Sequence, residues 1–264
     1  MLYAWLFYLF YGIILDVVMI KFIEELTDEK LDTIIRFAES DCLGVRSLGP
    51  ILAYGTKYDF LRIWLGENSN GKVTALITKF YGAVTAVASE DADIEELDEF
   101  LEVIGYSGLC LNYRSGDKYV MKLEKGKDCI AKTLNTCNLI VNSNYRDFYG
   151  IISECHKDYS LDSFDEWFVD ISHRVRHKTA DTFMLSVDDK FVSTVAALSV
   201  TEKSVFITAV STLPNYRGKH YAHSLIKAVC EKYSDKSIYL FCVEDKVPFY
   251  EKAGFMNTDK IFVK

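Results

Sequence analysis

Near the C-terminal end, Arg217-Gly218-Lys219-His220 separates an apolar run, Ser204 to Val210, from a stretch of helical periodicity. Ala222, Leu225, Ile226 and Val229 fall on one face at helical spacing, so a helix opening at about Gly218 can pack on a sheet. The first N–H groups of such a helix have no intrahelical acceptors, and its dipole leaves that end positive. A strand–turn–helix junction of this kind offers a seat for an anion, most naturally a phosphate. Gly218 permits close backbone approach, while Arg217 and Lys219 add positive charge. The stretch matches neither the phosphate loop Gly-x-x-x-x-Gly-Lys-Ser/Thr nor the dinucleotide fingerprint Gly-x-Gly-x-x-Gly.

Other chemistry-bearing residues read more plainly. His173 and His177, at i and i+4, have no third ligand or glutamate beside them and read as a surface pair; no metal is expected. Cys242 lies inside an apolar run without a neighbouring histidine, which suits a buried thiol better than a nucleophile. Asp93, Glu95, Glu96, Asp98, Glu99 and Glu102 read as the solvated face of a helix with favourable charge at its N-terminus.

Pro214-Asn215-Tyr216-Arg217-Gly218-Lys219-His220-Tyr221-Ala222 resembles the pyrophosphate motif Gln/Arg-x-x-Gly-x-Gly/Ala of the GCN5-related N-acetyltransferases (GNAT). Arg217 and Ala222 hold its first and last positions, and His220 stands where the family usually has its central glycine. A second match lies about thirty residues on. Phe249-Tyr250-Glu251-Lys252-Ala253-Gly254-Phe255 is similar to the last helix and strand of that fold. The resemblance implies acetyl-CoA as cosubstrate, held by backbone groups of Val210, Ser211 and Thr212 along its pantetheine arm. Gly218, Lys219, His220, Tyr221, Ala222 and His223 would hold the pyrophosphate, with Arg217 beside them. Tyr250 would be the general acid that protonates the departing thiolate, the acetyl group passing to a primary amine by direct attack. Val243 replaces an asparagine that many members use on the pantetheine, and no general base is evident; Asp181, Asp188, water or a main-chain carbonyl can serve. A non-catalytic acyl-CoA sensor and a protein-interaction module remain as alternatives.

Around these residues, 264 positions that are half apolar, with three prolines, describe a globular chain with a substantial core. The fold class is α/β (α+β): a mixed, mainly antiparallel sheet flanked by helices, as the GNAT resemblance implies. Strands are expected at Phe60 to Leu65, Val73 to Thr78, Ala83 to Ala88, Leu109 to Leu111, Tyr119 to Leu123, Thr182 to Val187, Phe191 to Val200 and Ser237 to Val243. Helices are expected at Thr27 to Ser40, Asp93 to Val103, Tyr145 to Cys155 and Phe164 to His177, whereas Leu43 to Tyr54, with its glycines and proline, reads as irregular or a short helix.

Glu124-Lys125-Gly126-Lys127-Asp128 is the best linker, so residues 19–128 and 129–264 read as a tandem of two GNAT-like halves. Glu90-Asp91-Ala92-Asp93 would repel a pyrophosphate, and the first half is expected to have no coenzyme site. Residues 1–18 form a hydrophobic leader, either an upstream extension, a buried helix or a membrane contact; the extension is favoured. A net charge of −8 argues against nucleic-acid binding and tilts the acceptor, a small-molecule or peptide amine, toward cations. Seven scattered cysteines read as free thiols, hence a cytoplasmic location.

Overall fold

The computed structural model describes residues 19–132, 134, 137–157 and 163–264; the expected leader, residues 1–18, lies outside them. Two successive runs of elements share one plan. In the first, β1 (Met19–Phe22) leads to helices α1 (Asp28–Ala38) and α2 (Cys42–Tyr54). Strands β2 (Leu61–Glu67), β3 (Val73–Phe80) and β4 (Ala83–Ala88), helix α3 (Ile94–Ile104), and strands β5 (Gly108–Leu111) and β6 (Lys118–Leu123) follow. The second run opens with β7 (Asn138–Val141), α4 (Tyr145–Cys155) and α5 (Phe164–Arg176). It continues through β8 (Asp181–Val187), β9 (Lys190–Val200), β10 (Ser204–Thr212), α6 (Tyr221–Lys232), β11 (Ser237–Cys242), a short α7 (Val247–Glu251) and β12 (Met256–Val263).

The helix starts follow local capping chemistry. Asp93 Oδ1 accepts the N–H of Glu96, and Ser163 and Glu166 form a reciprocal capping box. The segment expected to be irregular, Leu43 to Tyr54, is instead the 13-residue α2. Asp41 Oδ1 caps it by accepting from the N–H groups of Leu43 and Gly44. Its glycines are contact points rather than breaks. A Cβ at Gly44 would come within 2.2 Å of the Ala38 carbonyl oxygen, and one at Gly49 within 2.5 Å of that of Leu198. The edge strand β7 escapes a periodicity argument because most of its residues are exposed on both faces.

All strands join one 12-stranded sheet in the order β1-β2-β3-β4-β5-β12-β6-β11-β10-β9-β8-β7. Among the described strands, β4–β5 and β10–β11 are the parallel pairs. The centre of that order shows a reciprocal exchange: β12, the last strand of the second run, pairs with β5 of the first, and β6 pairs with β11 of the second. The linker at 124–128 therefore does not divide the sheet, because β6 lies before it in sequence yet sits among the second run's strands.

Side-chain alternation separates the two faces of the sheet. Val195 and Ala197 share a cluster with Leu225, Ile226 and Val229 of α6, whereas Ala196 packs with Phe148 and Ile152 of α4. Helices α4 and α6 thus cover opposite faces. Among the described residues no helix is long and apolar enough to cross a membrane.

Candidate active site

Strands β10 and β11 pair only from Ser204 to Phe206 against Ser237 to Tyr239. Beyond those positions they part, β10 held by β9 on its far side and β11 by β6. A bulge bends β10 away: Thr208 faces Ala196 and Ser211 faces Thr194, leaving Ala209 and Val210 opposite Val195 alone. Ala209 takes φ 51°, and Thr194 Oγ1 donates to its carbonyl at 3.0 Å. The result is a cavity of about 970 Å³ between the parted strands. Ile152, Cys155 and His156 of the α4 end line it from one face of the sheet, and Ala222, Phe249 and Tyr250 from the other. It passes between the strands to both sides.

The junction after β10 differs from expectation in one respect. The helix opens at Tyr221, not at Gly218, because Gly218 (φ +77°) and His220 (φ +63°) both take the left-handed region. Alternating backbone of this kind curls successive N–H groups into a concavity suited to an anion. No side chain caps α6, and its first backbone bond runs from Ser224 N to His220 O. The N–H groups ahead of Ser224 are available to a ligand. Val210, Ser211, Thr212, Arg217, Gly218, His220, Tyr221, Ala222 and His223 all border the cavity. Lys219 does not; its ammonium lies 5.6 Å from the Tyr216 ring. Arg217 Nε donates to the Thr212 carbonyl at 3.0 Å, which ties the turn to the strand end.

His220 stands next to His223, with their Nδ1 atoms 3.3 Å apart. His223 Nε2 lies 3.2 Å from the Phe249 carbonyl, to which only an N–H can donate, so in a neutral His223 ring Nδ1 accepts and His220 Nδ1 donates. His223 also stacks on Phe249 at 4.2 Å. A left-handed non-glycine residue costs about 1–2 kcal/mol, offset here by that hydrogen bond. His220→Ala should therefore keep the strain and lose the bond, while His220→Gly loses the bond and relieves the strain. Urea unfolding is expected to find the glycine variant more stable than the alanine variant by about 1 kcal/mol.

Tyr250 is buried against Phe249 and Phe255 and forms part of the same wall. Burial pushes its phenol well above the ordinary tyrosine value, with Cys242 adding to the rise. Cys242 itself is pushed up to about 11, chiefly by burial, so it is a thiol and not a nucleophilic thiolate. Neither carboxylate considered as a base reaches the cavity. Asp181 is bound by Lys232, Tyr233 and Asn142, and Asp188 sits in the β8–β9 turn at φ 49°. Wall residues outside the sequence reading include His156, just past α4, and Lys118, at the start of β6. Neither belongs to a motif, and only the fold brings them here. His173, read as a surface residue, is half-buried: it stacks on Tyr54 at 4.3 Å, and its Nε2 lies 3.0 Å from the Ala53 carbonyl. Among the described residues no group of three or more metal-ligating side chains occurs.

The equivalent gap in the first run is bridged. After β4 and β5 pair from Ala83 to Ala86, the Asn112 carboxamide accepts from Ala88 N at 2.8 Å and donates to Ala88 O at 3.0 Å. A side chain from the β5 end thus bridges to β4 beyond the point where the two strands stop pairing.

Residues 138–255 match the sequence model of the acetyltransferase (GNAT) family. The C-terminal half of the chain belongs to that family. Solved GNAT structures share the fold over nearly the whole chain. A GCN5-related N-acetyltransferase from Sphaerobacter thermophilus aligns with TM-score 0.59 at 12% identity, covering 92% of this chain and 94% of its own. A tandem GNAT protein from the clavulanic acid biosynthesis pathway aligns with TM-score 0.56 at 11% identity, covering 93% and 98%. A Drosophila protein aligns with TM-score 0.62 at 9% identity, covering 94% and 98%. No curated protein matches the chain. Both halves thus have the GNAT fold, a mixed sheet flanked by helices, and the family's acyl donor is acetyl-CoA.

Proposed function

We propose that the protein transfers an acetyl group from acetyl-CoA to a primary amine in the cavity between β10 and β11. The observation that carries this reading is convergence: the parted strand edge at Val210, Ser211 and Thr212, the open helix start beyond Gly218 and the Tyr250 phenol border one space. In this reading the strand edge pairs with the pantetheine arm and the amides from Gly218 to His223 receive the pyrophosphate. The amine adds to the thioester carbonyl, and Tyr250 gives its proton to the departing sulfur. The dry wall that raises the Tyr250 pKa would raise the thiolate's too, which keeps donor and acceptor matched.

Residues 19–128 act in this reading as a coenzyme-free partner half, supported by the Asn112 bridge. The described cavity wall bears Lys118, Lys246 and Arg217 but no carboxylate, and much of it is apolar. That wall favours an amine on an apolar or anionic body over a polyamine. Seven free thiols support a reducing compartment, the cytoplasm. A thermal-shift titration tests the reading: acetyl-CoA and CoA should raise Tm in a saturable way, and thiol release should depend on added amine. Saturable binding with no release across amines such as benzylamine, tyramine and glycine would instead favour a sensor.

A further inference from the structure

The reading above leaves the surplus proton of the attacking nitrogen without a destination. On the α4 side of the cavity, His156 Nε2 lies 2.8 Å from Ser211 Oγ. Both residues border the space that holds Tyr250 on its other side. Ser211 follows the β10 bulge directly, paired with Thr194 of β9. Its carbonyl accepts from Ser193 Oγ at 2.7 Å, which holds the backbone in place.

We propose that Ser211 and His156 form the proton relay for acyl transfer: the hydroxyl takes the proton of the attacking nitrogen and hands its own to His156 Nε2. The inference rests on the acetyltransferase reading. A neutral amine adds through its lone pair to the thioester carbonyl, and the C–S bond then breaks with its electron pair on sulfur. The nitrogen's surplus proton passes to Ser211 Oγ as the Ser211 proton passes to His156 Nε2. Sulfur takes the Tyr250 proton. Imidazolium and phenolate are reset by one proton exchanged through water, so charge and atoms balance.

The surroundings favour a neutral imidazole in the resting protein. Burial holds His156 below the ordinary histidine value, and the Arg217 guanidinium, beyond the end of β10, pushes it the same way. On its own side Cys155, whose thiol is raised by burial, lies next to it, with Sγ 3.4 Å from the Thr212 carbonyl oxygen. Across the cavity the charged residues are Lys118 and Lys246, again cations.

Two measurements on the full-length protein test the relay. In ¹⁵N-histidine spectra, with His156 assigned by its loss in His156→Gln, Nε2 should be the unprotonated nitrogen, accepting from Ser211. An Nε2–H tautomer overturns the relay whatever the activity. With acetyl-CoA and benzylamine, log kcat/KM should fall with slope one as pH drops, then slope two once the pH passes below the lowered His156 value, where the imidazole also gains a proton. His156→Gln should lose on the order of a hundredfold and keep slope one throughout, with coenzyme affinity unchanged. Ser211→Ala should lose as much, and the double variant no more, because the two act as a unit. An unchanged second slope in His156→Gln, or losses that multiply in the double variant, sinks the relay. Wild-type protein that binds acetyl-CoA yet acetylates no amine sinks the acetyltransferase reading instead.

Discussion

Replacing Tyr250 by Phe is expected to lower kcat by on the order of a hundredfold while leaving coenzyme affinity within about threefold. The change removes one oxygen from a side chain that is otherwise packing. Phe249 and Phe255 already hold the ring edge-on, so a phenylalanine fits the same space. The proposed pyrophosphate seat, on amides from Gly218 onward, does not use the phenol. Single-turnover thiol release separates the effects: the chemical step should slow while acetyl-CoA still raises Tm. Loss of affinity with an unchanged chemical step would show the phenol to be a binding group. The acidity of Tyr250 adds a second readout. Because burial raises this phenol above its unfolded value, it contributes stability that is fully present below about pH 10 and is lost as pH climbs through the raised folded value. Wild type should therefore lose stability more steeply than Tyr250→Phe in alkaline unfolding titrations.

What the sequence discloses of this site is its local chemistry. The strand–turn–helix junction could be read because glycine, two cations and the helical face after them adjoin in sequence, and the Tyr250 helix because a second motif follows at the spacing of one strand. Long-range placement is different. His156 meets Ser211 only after α4 packs on β9 and β10, and nothing around Cys155-His156-Lys157 marks it beforehand. Gly49 and Pro50 read as helix breakers because propensity speaks first; the close approach of Leu198, which requires a glycine, is tertiary and wins. The helix start shifted from Gly218 to Tyr221 for a similar reason. Few non-glycine residues take positive φ, yet the hydrogen bond to His223 holds His220 there.

The exchange of β6 and β12 is the least legible feature and sets the last expectation. A chain spanning residues 129–264, cut at the charged linker, should fail to fold even though it contains the family match and every proposed coenzyme contact. Without β6, Ile238 to Cys242 lose their antiparallel partners at Leu123 to Tyr119, and β12 loses its pairing from Met256 to Ile261. The same cut removes Val120, Met121 and Leu123, all buried against residues of the second half. At about 1.5–3 kcal/mol for each buried apolar side chain, these three account for roughly 5–9 kcal/mol, on the scale of an entire domain's stability. Exposed edges at the sheet's centre then invite aggregation. Extending the N-terminus to residue 105 restores β5 and β6 but leaves β5 without its parallel partner β4, so partial recovery is expected there. Co-expression with residues 19–128 should recover more, since β6 arrives on its own folded half and β5 is present to receive β12. Soluble, cooperatively unfolding 129–264 alone, with a two-state calorimetric transition, would show that the second half closes its sheet with β12 in place of β6, and that the exchange is not needed to hold the parted strands open.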